Sequence, residues 1–226
     1  MPRSPDAATL DLFPGDANPP ERPDREALAP GAVLLRGLAL PDVATLWADV
    51  QEVIALAPMR HMVTPGGFRM SIAISNCGAL GWVSDRRGYR YAATDPDSGD
   101  RWPALPASCL SLAARAAALA GFADFRPDAC LINRYAPGAR LTLHQDRNER
   151  DFSQPIVSVS LGLPAVFLFG GVQRKDPTLR LNLRHGDVMV WGGPARLRHH
   201  GVLALKPGQH PLTGESRINL TFRRAG

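Results

Sequence analysis

The chain has 226 residues, 45% of them hydrophobic, and 26 basic against 21 acidic side chains give a formal charge of +5. That length and apolar content exclude a largely disordered chain and suit one generous domain with a buried core. The mild basic excess fits an anionic partner without identifying one. The most apolar stretch, 110–121, is too short to cross a bilayer and is interrupted by Arg115. Acidic and proline residues occupy the N-terminus where a signal peptide needs an apolar run. Cys77, Cys109 and Cys130 form no CxxC pair, which argues against a disulfide framework or thiolate zinc site. The expectation is a soluble, cytoplasmic protein with reduced thiols, independent of membranes.

Residues 1–31 hold seven prolines and scattered acids, and are expected to form a flexible tail, with Leu10, Leu12 and Phe13 available to dock. A short strand is predicted over 33–38. A helix follows over 41–57, where Val43, Leu46, Trp47, Val50 and Ile54 recur at helical spacing, Pro41 suits the first turn and Pro58 ends it. The character changes over 59–100: residues 70–74 alternate as a strand, 82–91 mixes aromatic with basic side chains, and 95–100 reads as a turn. A second helix is predicted over 107–120, stopped by Gly121.

From residue 129 onward the pattern is almost all strand. The runs 156–161, 166–169, 179–183, 188–191 and 217–223 are short and separated by Gly, Pro or Asp. Repeated short strands with turn signals indicate a sandwich or barrel. The predicted fold is therefore α+β, with helices and mixed structure over 32–128 leaning on a C-terminal jelly roll, a double-stranded β-helix, over 129–226.

Two short patterns carry chemistry. His144 and Asp146 are two apart, and on a strand such residues point to one face, so an imidazole and a carboxylate converge. His200 follows 54 residues later in the run Arg198, His199, His200, Gly201. Two histidines and one carboxylate make the facial triad of non-haem iron(II) oxygenases, which leaves positions open for co-substrate and oxygen. Spacing alone does not force the third ligand, because His61, His185, His199 and His210 are also present.

The second pattern is the run 217–223. Alternation puts Arg217, Asn219, Thr221 and Arg223 on one face and Ile218, Leu220 and Phe222 on the other. The polar face either meets water or lines a barrel interior that binds an anion. Six residues at ~3.3 Å each separate the two arginines by about 20 Å along the strand. They are too distant to share one carboxylate, but suited to the two ends of a dicarboxylate such as 2-oxoglutarate. Asn133 and Tyr135 share one face of another strand just before His144, and both are able to hydrogen-bond a carboxylate.

These motifs together resemble the bacterial AlkB family of alkylated-DNA repair dioxygenases. The matching pieces are Asn133 to Gly138, His144 with Asp146, Trp191 with its two following glycines, His200 with Gly201, and Arg217 to Arg223. The stretches 62–67 and 76–82 are similar to that family's nucleotide-recognition region, and the likeness runs from about Leu10 to the end. The resemblance implies that His144, Asp146 and His200 bind iron(II). It implies that Asn133, Tyr135, Arg217, Asn219 and Arg223 bind 2-oxoglutarate, Arg217 at the distal carboxylate and Arg223 at the one near the metal. It also places Trp82, Tyr89, Arg90 and Tyr91 in a substrate lid, with Asn148 and Arg174 facing the substrate. Aromatics set among Arg86, Arg87 and Arg90 suit stacking on bases and contact with phosphates.

The activity implied is oxidative dealkylation of bases such as 1-methyladenine and 3-methylcytosine in DNA, with RNA left open. Formaldehyde, succinate and carbon dioxide leave, and 2-oxoglutarate and oxygen are consumed. The base must flip out of a duplex to reach a buried metal, which favours damaged bases, and Trp82 with a ligand imidazole is suited to sandwich it. A monomer is expected. One departure stands out: Asn148 occupies a position where the AlkB proteins carry an aspartate, and Glu149 or Asp151 are the neighbours able to supply the missing charge. The alternative is a dioxygenase of the same fold acting on a protein or small molecule, against which the 82–91 segment argues; a non-catalytic β-sandwich binding module is a second rival.

Overall fold

The structure, a computed structural model, describes residues 24–226. Leu10, Leu12, Phe13 and most of the segment assigned to a tail therefore lie outside the described residues. In chain order the elements begin with β1 (Arg25–Ala29) and β2 (Ala32–Leu35), then a single 3-10 turn leading into helix α1 (Val43–Leu56). Next come β3 (Ala73–Gly78), β4 (Gly81–Asp85), β5 (Gly88–Ala92) and helix α2 (Ala107–Leu119). The remainder is strand: β6 (Ala129–Tyr135), β7 (Leu141–His144), β8 (Ile156–Gly162), β9 (Ala165–Phe169), β10 (Leu179–Leu183), β11 (Val188–Trp191), β12 (His200–Val202) and β13 (Arg217–Arg223).

The strands form two facing antiparallel sheets and one hairpin. The major sheet has seven strands in the order β1-β2-β11-β8-β13-β6-β3, and the minor sheet has four, β10-β9-β12-β7. The hairpin β4–β5 stands apart. This is the jelly-roll arrangement that repeated short strands predict. Strands from both sides of residue 128 share the major sheet, since β2 pairs with β11 and β3 with β6.

Alternation along each central strand divides the core in two. Ile218, Leu220 and Phe222 of β13, Val157 and Val159 of β8, and Val188 and Val190 of β11 face the helices. There they meet Leu46, Val50 and Val53 of α1 and Leu112, Ala113, Ala116 and Ala117 of α2. Each large side chain withdrawn from water contributes roughly 1.5–3 kcal/mol, and the alanine face of α2 lets that helix approach the sheet closely. The next residue in each strand points the other way, between the sheets, where Ile156, Tyr135, Phe167, Phe169, Met189 and Trp191 form a second cluster.

Three local outcomes differ from the pattern-based expectation. Residues 25–29, placed in the tail, form strand β1 because β2 offers them an open edge. The strand expected over 33–38 stops at Leu35, since Gly37 turns the chain at φ +63°. The strand expected at 70–74 begins only at Ala73 and continues to Gly78.

Candidate active site

The chemistry gathers between the two sheets, where β7 and β12 of the minor sheet face β13, β6 and β8 of the major one. His200 is the direct partner of His144 in the β7–β12 ladder, and their rings lie 4.4 Å apart, centroid to centroid. Gly201 makes this possible. A Cβ there would meet the Leu141 carbonyl oxygen at 2.7 Å, so any larger residue would push β12 off β7 and separate the two imidazoles.

Asp146 lies just past the end of β7. Its Oδ1 is 3.6 Å from His144 Nε2 and its Oδ2 is 3.7 Å from His200 Nε2. Ligand atoms of these three residues all fall within 4.8 Å of one another. Both histidines are oriented from behind: His144 Nδ1 is 2.9 Å from the Thr142 carbonyl oxygen and His200 Nδ1 is 3.1 Å from that of Arg198. With Nδ1–H donating to a carbonyl, each Nε2 keeps its lone pair for a metal. Burial pushes the His200 imidazole down to about 3, aided by the neighbouring His144, so His200 is neutral at physiological pH. Burial acts to raise the Asp146 carboxyl, but Arg223 and the two imidazoles outweigh it and hold that carboxyl well below the usual carboxylate range. The donor set of two imidazoles and one carboxylate is the one iron(II) takes in facial-triad oxygenases.

The other histidines are elsewhere. His61 Nδ1 lies 2.9 Å from the Met70 carbonyl oxygen. His185 and His210 lie beside each other, ring centroids 4.5 Å apart and planes tilted by 48°. His199 is outside the ligand cluster.

The polar face of β13 is buried rather than wet. Arg217, Asn219, Thr221 and Arg223 are between 1% and 6% exposed. Arg217 pairs in register with Tyr135 and Asn219 with Asn133, so all four reach one interior. The Arg217 guanidinium lies 5.1 Å over the Tyr135 ring and donates from Nη2 to Ser160 Oγ at 3.0 Å. Its Nε and Nη1 have no hydrogen-bond partner. A buried cation with two idle donors is costly unless an anion completes it, and burial pulls its pKa down. Asn133, in the same interior, donates from Nδ2 to Asn219 Oδ1 at 3.4 Å and leaves its own Oδ1 without a partner. The idle Arg217 donors fit the distal carboxylate of 2-oxoglutarate. Asn219, by contrast, is saturated: its amide donates to Ser158 Oγ and the Val159 carbonyl and accepts from Thr221. Arg223 donates from Nε and Nη2 to Asp146 Oδ2 at 3.0 and 2.7 Å.

The β4–β5 hairpin stands over this interior. Trp82 and Tyr89 stack, with centroids 5.6 Å apart and planes 15° from parallel. Asn76 fixes the base of the hairpin through two bonds of 3.0 Å to the Trp82 backbone. Gly81 permits the close fit, since a Cβ there would meet the Trp102 ring at 2.3 Å. Asn148 reaches the hairpin twice: Trp82 Nε1 donates to its Oδ1 and its Nδ2 donates to the Tyr89 carbonyl, each at 3.3 Å. Arg90 is turned to Asp85, at 2.9 and 2.8 Å. The Tyr91 hydroxyl donates to Glu149 at 2.8 Å. Arg174 is exposed on the loop after β9 and donates to the Leu143 carbonyl at 2.6 Å.

Several residues of the site escape a reading of the sequence. Ser158 and Ser160 carry a signal, two polar residues at period two inside an apolar strand. Gln145 donates to the Val172 carbonyl at 3.2 Å and to the Leu197 carbonyl, tying the ligand loop to both neighbouring loops. Arg196, only 3% exposed, donates to the Asp146 carbonyl at 3.0 Å. Neither of these two has a sequence signal: Gln145 works through backbone atoms, and Arg196 through the Asp146 backbone and the Glu149 side chain, both far from it in sequence.

Comparison with known proteins agrees with this geometry. Residues 31–223 match the family model of the 2OG-Fe(II) oxygenase superfamily. The chain is 57% identical over 217 residues to the alpha-ketoglutarate-dependent dioxygenase AlkB of Escherichia coli K12, covering 96% of this chain and 98% of that protein. It is 46% identical over 202 residues to the AlkB homologue of Caulobacter vibrioides, covering 88% and 89%. The solved structure of OsALKBH1 superposes with a TM-score of 0.78 at 30% identity, over 89% of this chain and all of that one.

Proposed function

The chain belongs to the 2OG-Fe(II) oxygenase superfamily and, within it, to the AlkB dioxygenases; from that premise we propose that it repairs nucleic acid by oxidative removal of alkyl groups from bases such as 1-methyladenine and 3-methylcytosine. The observation that carries the reading is the Trp82–Tyr89 stack standing over an interior that holds both the triad and the unsatisfied Arg217. When bound, iron(II) with 2-oxoglutarate and oxygen supplies the hydroxylation of the N-alkyl carbon, after which the base sheds formaldehyde.

The protein's own residues bind, orient and exclude water. Arg217 takes the distal carboxylate of the co-substrate, its idle Nε and Nη1 forming a fork. Asn133 and Tyr135 line that end, and Asn219 holds the interior surface by bonding to Ser158. Arg223 meets the carboxylate nearer the metal while retaining Asp146. Trp82, with the imidazole of a ligand histidine opposite, holds a flipped base, and Tyr89 extends the stacking surface. Asn148 stands at the mouth where the base edge arrives, and Arg90 and Arg174 lie where a strand's phosphates pass.

The partner in this reading is alkylated DNA, single-stranded or with the base flipped from a duplex, and RNA is accepted by the same chemistry. We further propose that the protein acts as a cytoplasmic monomer; among the described residues no helix is long and apolar enough to cross a membrane. The test is mass spectrometry of methylated oligonucleotides incubated with protein, iron(II), 2-oxoglutarate and ascorbate. Loss of one methylene per lesion is expected; unchanged oligonucleotides alongside a hydroxylated peptide or small molecule would favour the rival substrate class.

A further inference from the structure

A second carboxylate lies in the interior. The Glu149 side chain is 2% exposed and sits between two arginines, with Oε2 3.1 Å from Arg196 Nη2 and Oε1 3.3 Å from Arg223 Nε. The same Oε1 accepts the Tyr91 hydroxyl at 2.8 Å. Arg223 is also bound to Asp146 Oδ2, and Arg196 to the Asp146 carbonyl. Two anions and two cations thus form a closed cluster, and it joins strand β5 of the hairpin to a metal ligand in three contacts.

The cluster poses a problem for Arg223 that Glu149 solves. Both Nε and Nη2 of Arg223 reach the same oxygen of Asp146, the oxygen nearer His200. Left to Asp146 alone, the guanidinium would compete with a metal for that atom. Glu149 supplies the other negative charge within reach, its Oε1 3.3 Å from the Nε that donates to Asp146, so the fork lies between two carboxylates rather than against one. Tyr91 in turn fixes which way the Oε1 atom points. With Oε1 accepting from Tyr91 and Oε2 buried beside Arg196, the 2% exposed Glu149 side chain is not disposed to meet a substrate base as a free charge.

We infer that Glu149 is a positioning residue serving both halves of the site: it aims Arg223 at the co-substrate carboxylate and anchors the lid strand through Tyr91. The inference rests on the reading of Arg223 as a co-substrate ligand. It predicts that the two functions share one atom, Oε1, and so are energetically coupled.

The experiment measures 2-oxoglutarate affinity calorimetrically with Mn(II) in place of iron, and the KM for a 3-methylcytosine oligonucleotide, in four proteins: the unmodified chain, Glu149→Gln, Tyr91→Phe and the double variant. Glu149→Gln should raise the 2-oxoglutarate Kd roughly tenfold, the scale of one charge-assisted bond. Tyr91→Phe should raise it about threefold, a smaller effect because it removes only the bond that orients Oε1 and leaves the Glu149 charge in place, and should also raise the oligonucleotide KM. When Glu149→Gln is already present, the Tyr91→Phe effect on 2-oxoglutarate should shrink, a non-additivity that a purely structural role would not produce. An unchanged or tighter 2-oxoglutarate Kd in Glu149→Gln overturns the inference, as does full additivity. Should Glu149→Gln not fold, Tyr91→Phe decides alone, and an unchanged 2-oxoglutarate Kd there overturns it. If Arg223→Lys binds 2-oxoglutarate as tightly as the unmodified chain, the underlying reading of Arg223 fails, a result separable from either of these.

Discussion

His144 and His200 face each other directly across the β7–β12 ladder, their rings 4.4 Å apart, because Gly201 lets the two strands touch. The pairing explains how residues far apart in sequence offer their Nε2 atoms to one point, with Asp146 completing the set. His144→Ala and His200→Ala are expected to abolish formaldehyde release with circular dichroism unchanged, whereas His199→Ala keeps the triad. Loss of turnover in His199→Ala with full activity in His200→Ala would show the wrong ligand was assigned.

Asp146 behaves differently from the histidines because it is also the partner of Arg223. Removing one member of a buried pair costs roughly 3–5 kcal/mol. Asp146→Ala should therefore lose metal binding and melt at a visibly lower temperature, while Asp146→Asn, which can still accept one bond, loses metal binding with a smaller drop. Equal melting temperatures in the two variants would mean that Arg223 does not depend on Asp146.

Arg217 is a buried cation with idle donors, so its effects on binding and stability should run in opposite directions. Arg217→Met is expected to weaken 2-oxoglutarate binding by about 1.5–3 kcal/mol, since a charge-assisted fork is lost. The co-substrate-free protein should keep or raise its melting temperature, since no protein carboxylate is orphaned. Unchanged 2-oxoglutarate dependence with weakened oligonucleotide binding would assign Arg217 to the substrate instead.

How much of this is legible in the sequence depends on which atoms do the work. Alternation along 217–223 discloses the two faces of β13, and the buried interior takes the polar one. The HxD spacing and the distal histidine are legible as types, but only the β7–β12 register separates His200 from His199, and that register depends on a glycine contact rather than on a pattern. Helices α1 and α2 follow their apolar spacing closely. Strand β1 reads as tail because it is held by backbone pairing with β2 rather than by burial, a tertiary gain that Arg25 and Glu26 do not advertise. Arg90 and Tyr91 are legible as lid residues, yet their side chains turn to Asp85 and Glu149, partners that local composition does not specify.

The hairpin predicts a separation of substrate handling from co-substrate chemistry. Trp82→Ala and Tyr89→Ala should each raise the oligonucleotide KM, with stacking worth about 1–3 kcal/mol per base. Uncoupled decarboxylation of 2-oxoglutarate should be spared. Loss of metal or 2-oxoglutarate binding in both variants would move these residues into the catalytic core.

Asn148 uses its amide in both directions, accepting from Trp82 and donating to the Tyr89 carbonyl. A carboxylate can only accept. Asn148→Asp should therefore release the Tyr89 side of the hairpin, seen as faster hydrogen exchange over β5, and should shift the activity ratio toward cationic 3-methylcytosine over neutral 3-methylthymine. An unchanged ratio with unchanged exchange would remove Asn148 from the substrate site.

The central claim is that the triad, the Arg217 pocket and the aromatic hairpin serve one reaction on an alkylated base. It is tested most directly by measuring succinate and formaldehyde together, on an oligonucleotide carrying 3-methylcytosine, with iron(II) and limiting 2-oxoglutarate. The account predicts one formaldehyde for each succinate formed above the unmethylated control, and both products absent in His144→Ala. Succinate formed at the same rate with either strand, and no formaldehyde, would contradict it.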